Sequence, residues 1–232
     1  MAPRTYATTF MAKKLLIITG PQGSGNHFFS RLFSLHPDVG GWKELIDEYW
    51  IPSDQETFAP YWVDSNSMTM LDFEGHDYWV ANVSVPFVFD GVKQVPKIHL
   101  MAHRAQELGL EVEIAIIVRD QNINLEQQRR VRKEETLPIA QEYYYTELLP
   151  HFNCHFLDHE AFFLHKGHYL KWVSKVLDFP VAWNSEDITK FIDKDANHKY
   201  VKYVDTYWLD EHVHAGLRPK KERGINATDG ED

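Results

Sequence analysis

Three short apolar runs punctuate the chain: "KLLIIT" at 14–19, the apolar body of "EVEIAIIVRD" at 111–120, and "CHFLD" at 154–158. Each is too short for a buried helix and is bounded by glycine or charge, which predicts strands covered on both faces of a parallel sheet. "YWVANVSV" at 78–85 alternates as a fourth strand. Between the runs the period changes. Phe28, Phe29, Leu32, Phe33 and Leu35 recur at helical spacing, and His36-Pro37 closes that element. Residues 97–108 predict a helix ended by Gly109, residues 122–149 a mostly helical stretch interrupted near Pro138, and residues from about 160 to 177 another helix. The segment from 40 to 77 is irregular and aromatic, with Trp42, Tyr49, Trp50, Tyr61 and Trp62.

Strands alternating with helices predict the α/β class, a three-layer α/β/α domain with a parallel central sheet. No internal repeat or linker-like stretch interrupts the pattern. The expectation is one domain over 1–232, with residues 1–12 as an extension and 225–232 as a frayed polar tail.

Composition narrows the chemistry. Cys154 is the only cysteine, which excludes an internal disulfide framework and a multi-cysteine metal site and suits a reducing, cytoplasmic setting. A formal charge of −10 disfavours nucleic acid and anionic membrane as partners, and makes any anion site depend on local positive potential. No stretch approaches the ~20 apolar residues of a membrane span. The 13 histidines include a crowd at His151, His155, His159, His165 and His168. Because "CHFLD" predicts a strand, His155 and His159 do not share a helical face, and no metal is expected.

The first strand runs into "GPQGSGNHF", residues 20–28. Glycines at a strand-to-helix turn let main-chain N–H groups approach an anion, and the helix adds its positive end. Gly20 and Gly25 have the spacing of a G-x-x-x-x-G-K-[ST] phosphate loop, yet Asn26 and His27 stand where the lysine and the hydroxyl belong. Asn26 carries no charge and His27 suits a hard cation poorly. The usual parts for magnesium-nucleotide hydrolysis are missing.

These residues carry a resemblance. "GPQGSGNHFFSRLFSLHPDV" lies ungapped along the sulfotransferase pattern G-x-P-R-S-G-T-T-L-L-x-R-L-L-x-x-H-P-D-V, matching at Gly20, Ser24, Gly25, Arg31, Leu32, His36, Pro37, Asp38 and Val39. "IIVRDQNINLEQQRR" resembles the family's VRDPRDVALS segment, and "HFLDHEAFFLHKGHYLKWVSKVLDFPV" is similar to a later strand and helix.

The resemblance implies a P-loop NTPase-like fold and a metal-free site for 3′-phosphoadenosine 5′-phosphosulfate (PAPS) or its product adenosine 3′,5′-bisphosphate. Gly20, Pro21, Gln22, Gly23, Ser24, Gly25, Asn26 and His27 would cradle the 5′ side. Arg119 and Gln127 would hold the 3′-phosphate, Gln127 standing where the family has serine. Glu44 matches the glutamate that serves as base in the tyrosylprotein branch, and His76, His99 and His103 are further candidates for that role. The family's loop cation falls on Gly23, leaving Lys43, His27 or an arginine within 129–132 to supply positive charge. The implied reaction is sulfuryl transfer to a small-molecule, glycan or peptide acceptor. Two other readings share the loop: a nucleotide or nucleoside kinase, and a non-catalytic nucleotide-binding protein.

Overall fold

The computed structural model describes residues 12–42 and 51–193. The chain divides into two compact units, residues 1–188 and 189–232. In chain order the elements open with β1 (Lys14–Pro21), α1 (Asn26–Ser34), β2 (Val39–Gly40) and β3 (Tyr78–Val85). A hairpin of β4 (Phe87–Phe89) and β5 (Val92–Gln94) follows, then α2 (Ile98–Glu107), β6 (Glu111–Val118) and α3 (Gln121–Arg132). The last are α4 (Leu137–Tyr143), a π turn over Tyr144–Leu148, β7 (Cys154–Asp158), α5 (His159–Val176) and α6 (Glu186–Asp193).

Five strands form one parallel sheet in the order β2-β3-β1-β6-β7, with helices on its faces: a three-layer α/β/α architecture. Register explains the unbroken apolar runs. Leu15 and Ile17 of β1 align with Trp79 and Ala81 of β3, and Ile17 also with Ile114 of β6. These residues pack with Met101, Ala102 and Ala105 of α2 and Ala140 and Tyr143 of α4. Leu16 and Ile18 point to the other face, as successive strand residues must. There Phe29, Leu32 and Phe33 of α1 are fully buried, and Phe29 meets Phe162 of α5 edge-on at 5.6 Å.

The irregular segment after residue 50 is built of short 3₁₀ turns rather than open loop. Its rings are core: Phe58 stacks on Phe73 at 5.4 Å, and both meet Trp79 edge-on. Thr69 and Asp72 cap one turn reciprocally. Asp72 also accepts from the Tyr61 hydroxyl at 2.6 Å; burial and this carboxylate push the phenol up to about 12. The paired aromatics Tyr61-Trp62 and Tyr78-Trp79 therefore place their indoles in packing.

The helical stretch after β6 is interrupted near Pro138, over residues 133–136. Lys133 takes a left-handed conformation (φ 58°) that ends α3, whereas Pro138 lies in the first turn of α4, where a missing N–H costs nothing.

At the amino end of the sheet, Lys14 is buried and its Nζ donates to the carbonyls of Leu177 and Asp178 at 3.2 and 3.1 Å, at the end of α5. Carboxylates of Asp178, Glu111 and Glu113 lie 3.3–3.9 Å away. Because Asp178 and Glu111 are solvent-exposed, the carbonyl bonds matter more than the ion pairs. Lys14→Met, which keeps the stem and removes the donor, is expected to cost about 1–3 kcal/mol in urea unfolding.

Candidate functional site

β1 continues through α1 to β2 and β3 on one side of the sheet, while β6 leads to β7 on the other. The crevice where paths diverge lies beyond the carboxyl ends of β1 and β6, the position at which such sheets bind ligands. Two segments meet there: the glycine turn after Gly20 and the β6 terminus at Arg119.

The turn is shaped by its small residues. A Cβ on Gly20 would lie 2.3 Å from Ser24 Oγ and 2.4 Å from Asn26 Oδ1. Gly23 and Gly25 have φ of 90° and 104°, a region costly for any residue with a side chain. Ser24 Oγ donates to Asn26 Oδ1 at 2.6 Å; Asn26 Nδ2 donates to the Gly20 carbonyl at 3.2 Å and to Ser84 Oγ at 3.1 Å. Asn26 is thus a buried clamp between the turn and β3. Gln22 also points inward, donating to the Pro86 carbonyl at 2.7 Å, while its own carbonyl accepts from Gln128 at 2.7 Å.

With Gln22, Ser24 and Asn26 occupied by protein partners, the turn offers an anion its main chain. Gly25 is the N-cap of α1, with no capping side chain and no acidic residue in the first turn. First-turn amides have no acceptor within their own helix and carry the positive end of its dipole.

Arg119 is brought to the turn. Its side chain is only 5% exposed, and Nη1 donates to the Gly23 carbonyl at 3.1 Å and to Gln127 Oε1 at 3.0 Å. Gln127 is also the neighbour that a Cβ on Gly23 would meet, at 3.1 Å. The expected trio of Gly23, Arg119 and Gln127 therefore assembles. A residue not anticipated joins it: Glu160, at the start of α5, sits 3.5 Å from Arg119 Nε and accepts from the Asp120 N–H at 3.3 Å. Burial works to raise the Glu160 pKa, but the hydrogen bond and charge of His159 and the charge of Arg119 hold it below the ordinary carboxylate range. The His159 ring lies against Gly25, 2.6 Å from where a Cβ would stand.

His27 turns elsewhere. Its Nε2 is 3.2 Å from Glu56 Oε1, and its ring meets Trp42 at 5.1 Å. Glu56, whose side chain is 3% exposed, also accepts from Asn82 Nδ2 at 3.0 Å. Burial lifts the Glu56 carboxyl above the usual range, against the opposing pull of His27 and Asn82.

Lys43 and Glu44 lie outside the described residues. Arg129 pairs on an exposed helix face with Glu135 and Glu126, at 2.6 and 2.5 Å. His99 bonds the Tyr143 hydroxyl, His103 packs on Phe152 and His76 on Trp79. Among the described residues, no group of three or more His, Cys, Asp or Glu side chains is arranged to hold a metal ion, and no helix is long and apolar enough to cross a membrane.

The class defined here is a three-layer α/β/α protein with a glycine turn at its topological switch point. No protein-family model matches the chain, and no curated protein matches it.

The raised Glu56 pKa has a direct consequence. The folded protein holds this proton more tightly than the unfolded chain, whose value is near 4.5. Stability is then lost as pH rises from the unfolded value through the folded one. Glu56→Gln is expected to gain thermal stability relative to wild type as pH climbs from 4 to 8. A Tm difference that stays flat or reverses over this range would contradict the assignment.

Proposed function

We propose that the protein binds PAPS and transfers its sulfuryl group to a hydroxyl or amine of a small-molecule, glycan or peptide acceptor. The observation that carries this is the meeting of Arg119 with Gly23. A guanidinium from the end of β6 reaches the glycine turn after β1, beside Gln127, as a ligand phosphorylated at both its 5′ and 3′ positions requires. The main chain of Gly23, Gly25 and the first turn of α1 would take the 5′ side. Arg119 and Gln127 would take the 3′-phosphate, exchanging the Gly23 carbonyl as acceptor for phosphate oxygens.

The side-chain assignments support a nucleotide held without magnesium. Ser24 and Asn26 spend their polar atoms on each other, on Gly20 and on Ser84, so neither is aimed at a triphosphate or its metal. Negative charge must then be met by the α1 dipole and by Arg119. Gly23 supplies no cation at the loop position where the resembling family has one. Catalysis therefore requires positive charge from a neighbour, and a non-catalytic nucleotide-binding protein is the reading left if no transfer occurs.

A thermal-shift comparison separates the readings. Adenosine 3′,5′-bisphosphate at ~100-fold over its Kd is expected to stabilise the fold by roughly 2.7 kcal/mol without magnesium, and Mg-ATP to do much less. The reverse order would favour a kinase. Arg119→Lys keeps the charge but loses the planar fork, and is expected to weaken adenosine bisphosphate binding about 10- to 100-fold in calorimetry.

A further inference from the structure

The second half of α5 leads away from the crevice toward the amino end of the sheet, where Lys14 meets the carbonyls just beyond it. Its inward stripe is Tyr169, Leu170 and Val173, all buried. Its outward stripe is His168, Lys171, Trp172 and Lys175, all exposed and spaced by single helical turns. Between Glu160 and Asp178 the chain holds Lys166, Lys171 and Lys175 and no acid. The two flanking carboxylates are engaged elsewhere, Glu160 with Arg119 and Asp178 with Lys14. In a chain of net charge −10 this is a local reversal of sign. Apolar surface accompanies the lysines: Trp172 is 52% exposed and Trp183 37%. Lys171 Nζ lies 4.6 Å from the centre of the Trp183 ring, and a Cβ on Gly167 would stand 3.0 Å from the Trp183 carbonyl oxygen. Helix and indole therefore form one continuous face. Lys166 breaks the helix with φ 47° and ψ −122°, a conformation strained for a residue with a side chain. Leu164, two residues earlier, is the most exposed large apolar side chain among the described residues, at 76%.

We propose that this face of α5, together with Trp183, docks on a membrane surface bearing anionic phospholipid. Charge complementarity selects the sign of the partner, and the mixture of side chains selects its kind. Indole rings settle at headgroup level, and lysine stems lie along apolar surface while the ammonium reaches a phosphate. The outward face of a single helix is convex, so it offers neither a groove for a peptide helix nor a free strand edge for an extended segment. The overall charge of −10 opposes contact only weakly. The Debye length is about 8 Å at physiological ionic strength, so acids across the domain are screened while the lysines lie against the headgroups. In sequence, Glu186 and Asp187 bound the basic run on the far side of Trp183. Docking of this kind is peripheral, with no segment crossing the bilayer, and it is independent of the nucleotide reading.

The test is flotation of the full chain with vesicles of phosphatidylcholine, alone and with phosphatidylserine added. Binding is expected only where phosphatidylserine is present, and it falls as salt is raised. Lys171→Gln combined with Lys175→Gln should lower the partition coefficient about 10- to 30-fold, the effect of two lysines near an anionic surface. Trp172→Ser should weaken binding as well, whereas Lys97→Glu, at an exposed position outside this face, should leave it unchanged. Because the substituted lysines are exposed, urea unfolding of those variants should match wild type, which separates lost docking from lost folding. Absence of binding to both vesicles, equal binding to both, or binding indifferent to the Lys171 and Lys175 substitutions overturns the proposal. Retention on polyglutamate beads without vesicle binding also overturns it, in favour of an acidic protein segment. None of these outcomes bears on adenosine 3′,5′-bisphosphate binding.

Discussion

A buried guanidinium sets the terms for everything at the carboxyl end of this sheet. Arg119 leaves β6 and must find acceptors away from water, since an unpaired buried charge costs several kcal/mol. It finds acceptors in the carbonyl of Gly23 and the carboxamide of Gln127 in α3, and a counter-ion in the carboxylate of Glu160 at the head of α5. The glycine turn is thereby fixed against the two βα connections on its other side. A Cβ at position 23 would press on the Gln127 side chain at 3.1 Å, and the φ of 90° there already disfavours any residue but glycine.

The turn divides its polar groups by direction. Gln22, Ser24 and Asn26 face inward and bind the turn to β3, Pro86 and Gln128. What faces outward is largely peptide. A peptide-lined site at a helix N-terminus can attract anions without depending on flexible charged side chains, and here it would have to do so inside a chain of net charge −10. Local potential, not the overall field, has to decide binding. Glu160 tempers that potential, because a carboxylate 3.5 Å from Arg119 competes with any phosphate for the same guanidinium.

The layered architecture was readable in the sequence because buried parallel strands leave a one-dimensional trace: "LLII" and "IAII" are apolar where both faces are covered. Arg119 was readable for a related reason, being the first charge after such a run. Gln127, two helical turns on, faces the same crevice as its position in the series suggests. Glu56 and Glu160 were not readable. Glu56 meets His27 across 29 positions and Asn82 across 26, through 3₁₀ turns that have no apolar period, and only burial distinguishes it from a surface glutamate. Asn82 looks like the polar half of an alternating strand, yet it is 2% exposed. The break after α3 was readable only as lying near Pro138, because proline marks a helix start as readily as a stop. Lys133 ends α3 by its backbone alone.

The two unanticipated carboxylates stand in opposite surroundings near one helix terminus. Glu160 lies beside Arg119 and His159, with charges and donors that favour its ionised form over the cost of burial. Glu56 is sealed among protein groups with one imidazole and one amide, and there burial wins. Pairs of carboxyl groups whose environments push their proton affinities apart can take different tasks at one pH, one as a fixed counter-ion and the other as a partner in proton movement. A fold needing only mechanical closure of this crevice could fill the Glu56 position with an apolar side chain of similar size, as buried ion pairs are often replaceable at no loss of stability. The carboxylate's burial against His27 is thus a thermodynamic concession that packing alone does not require.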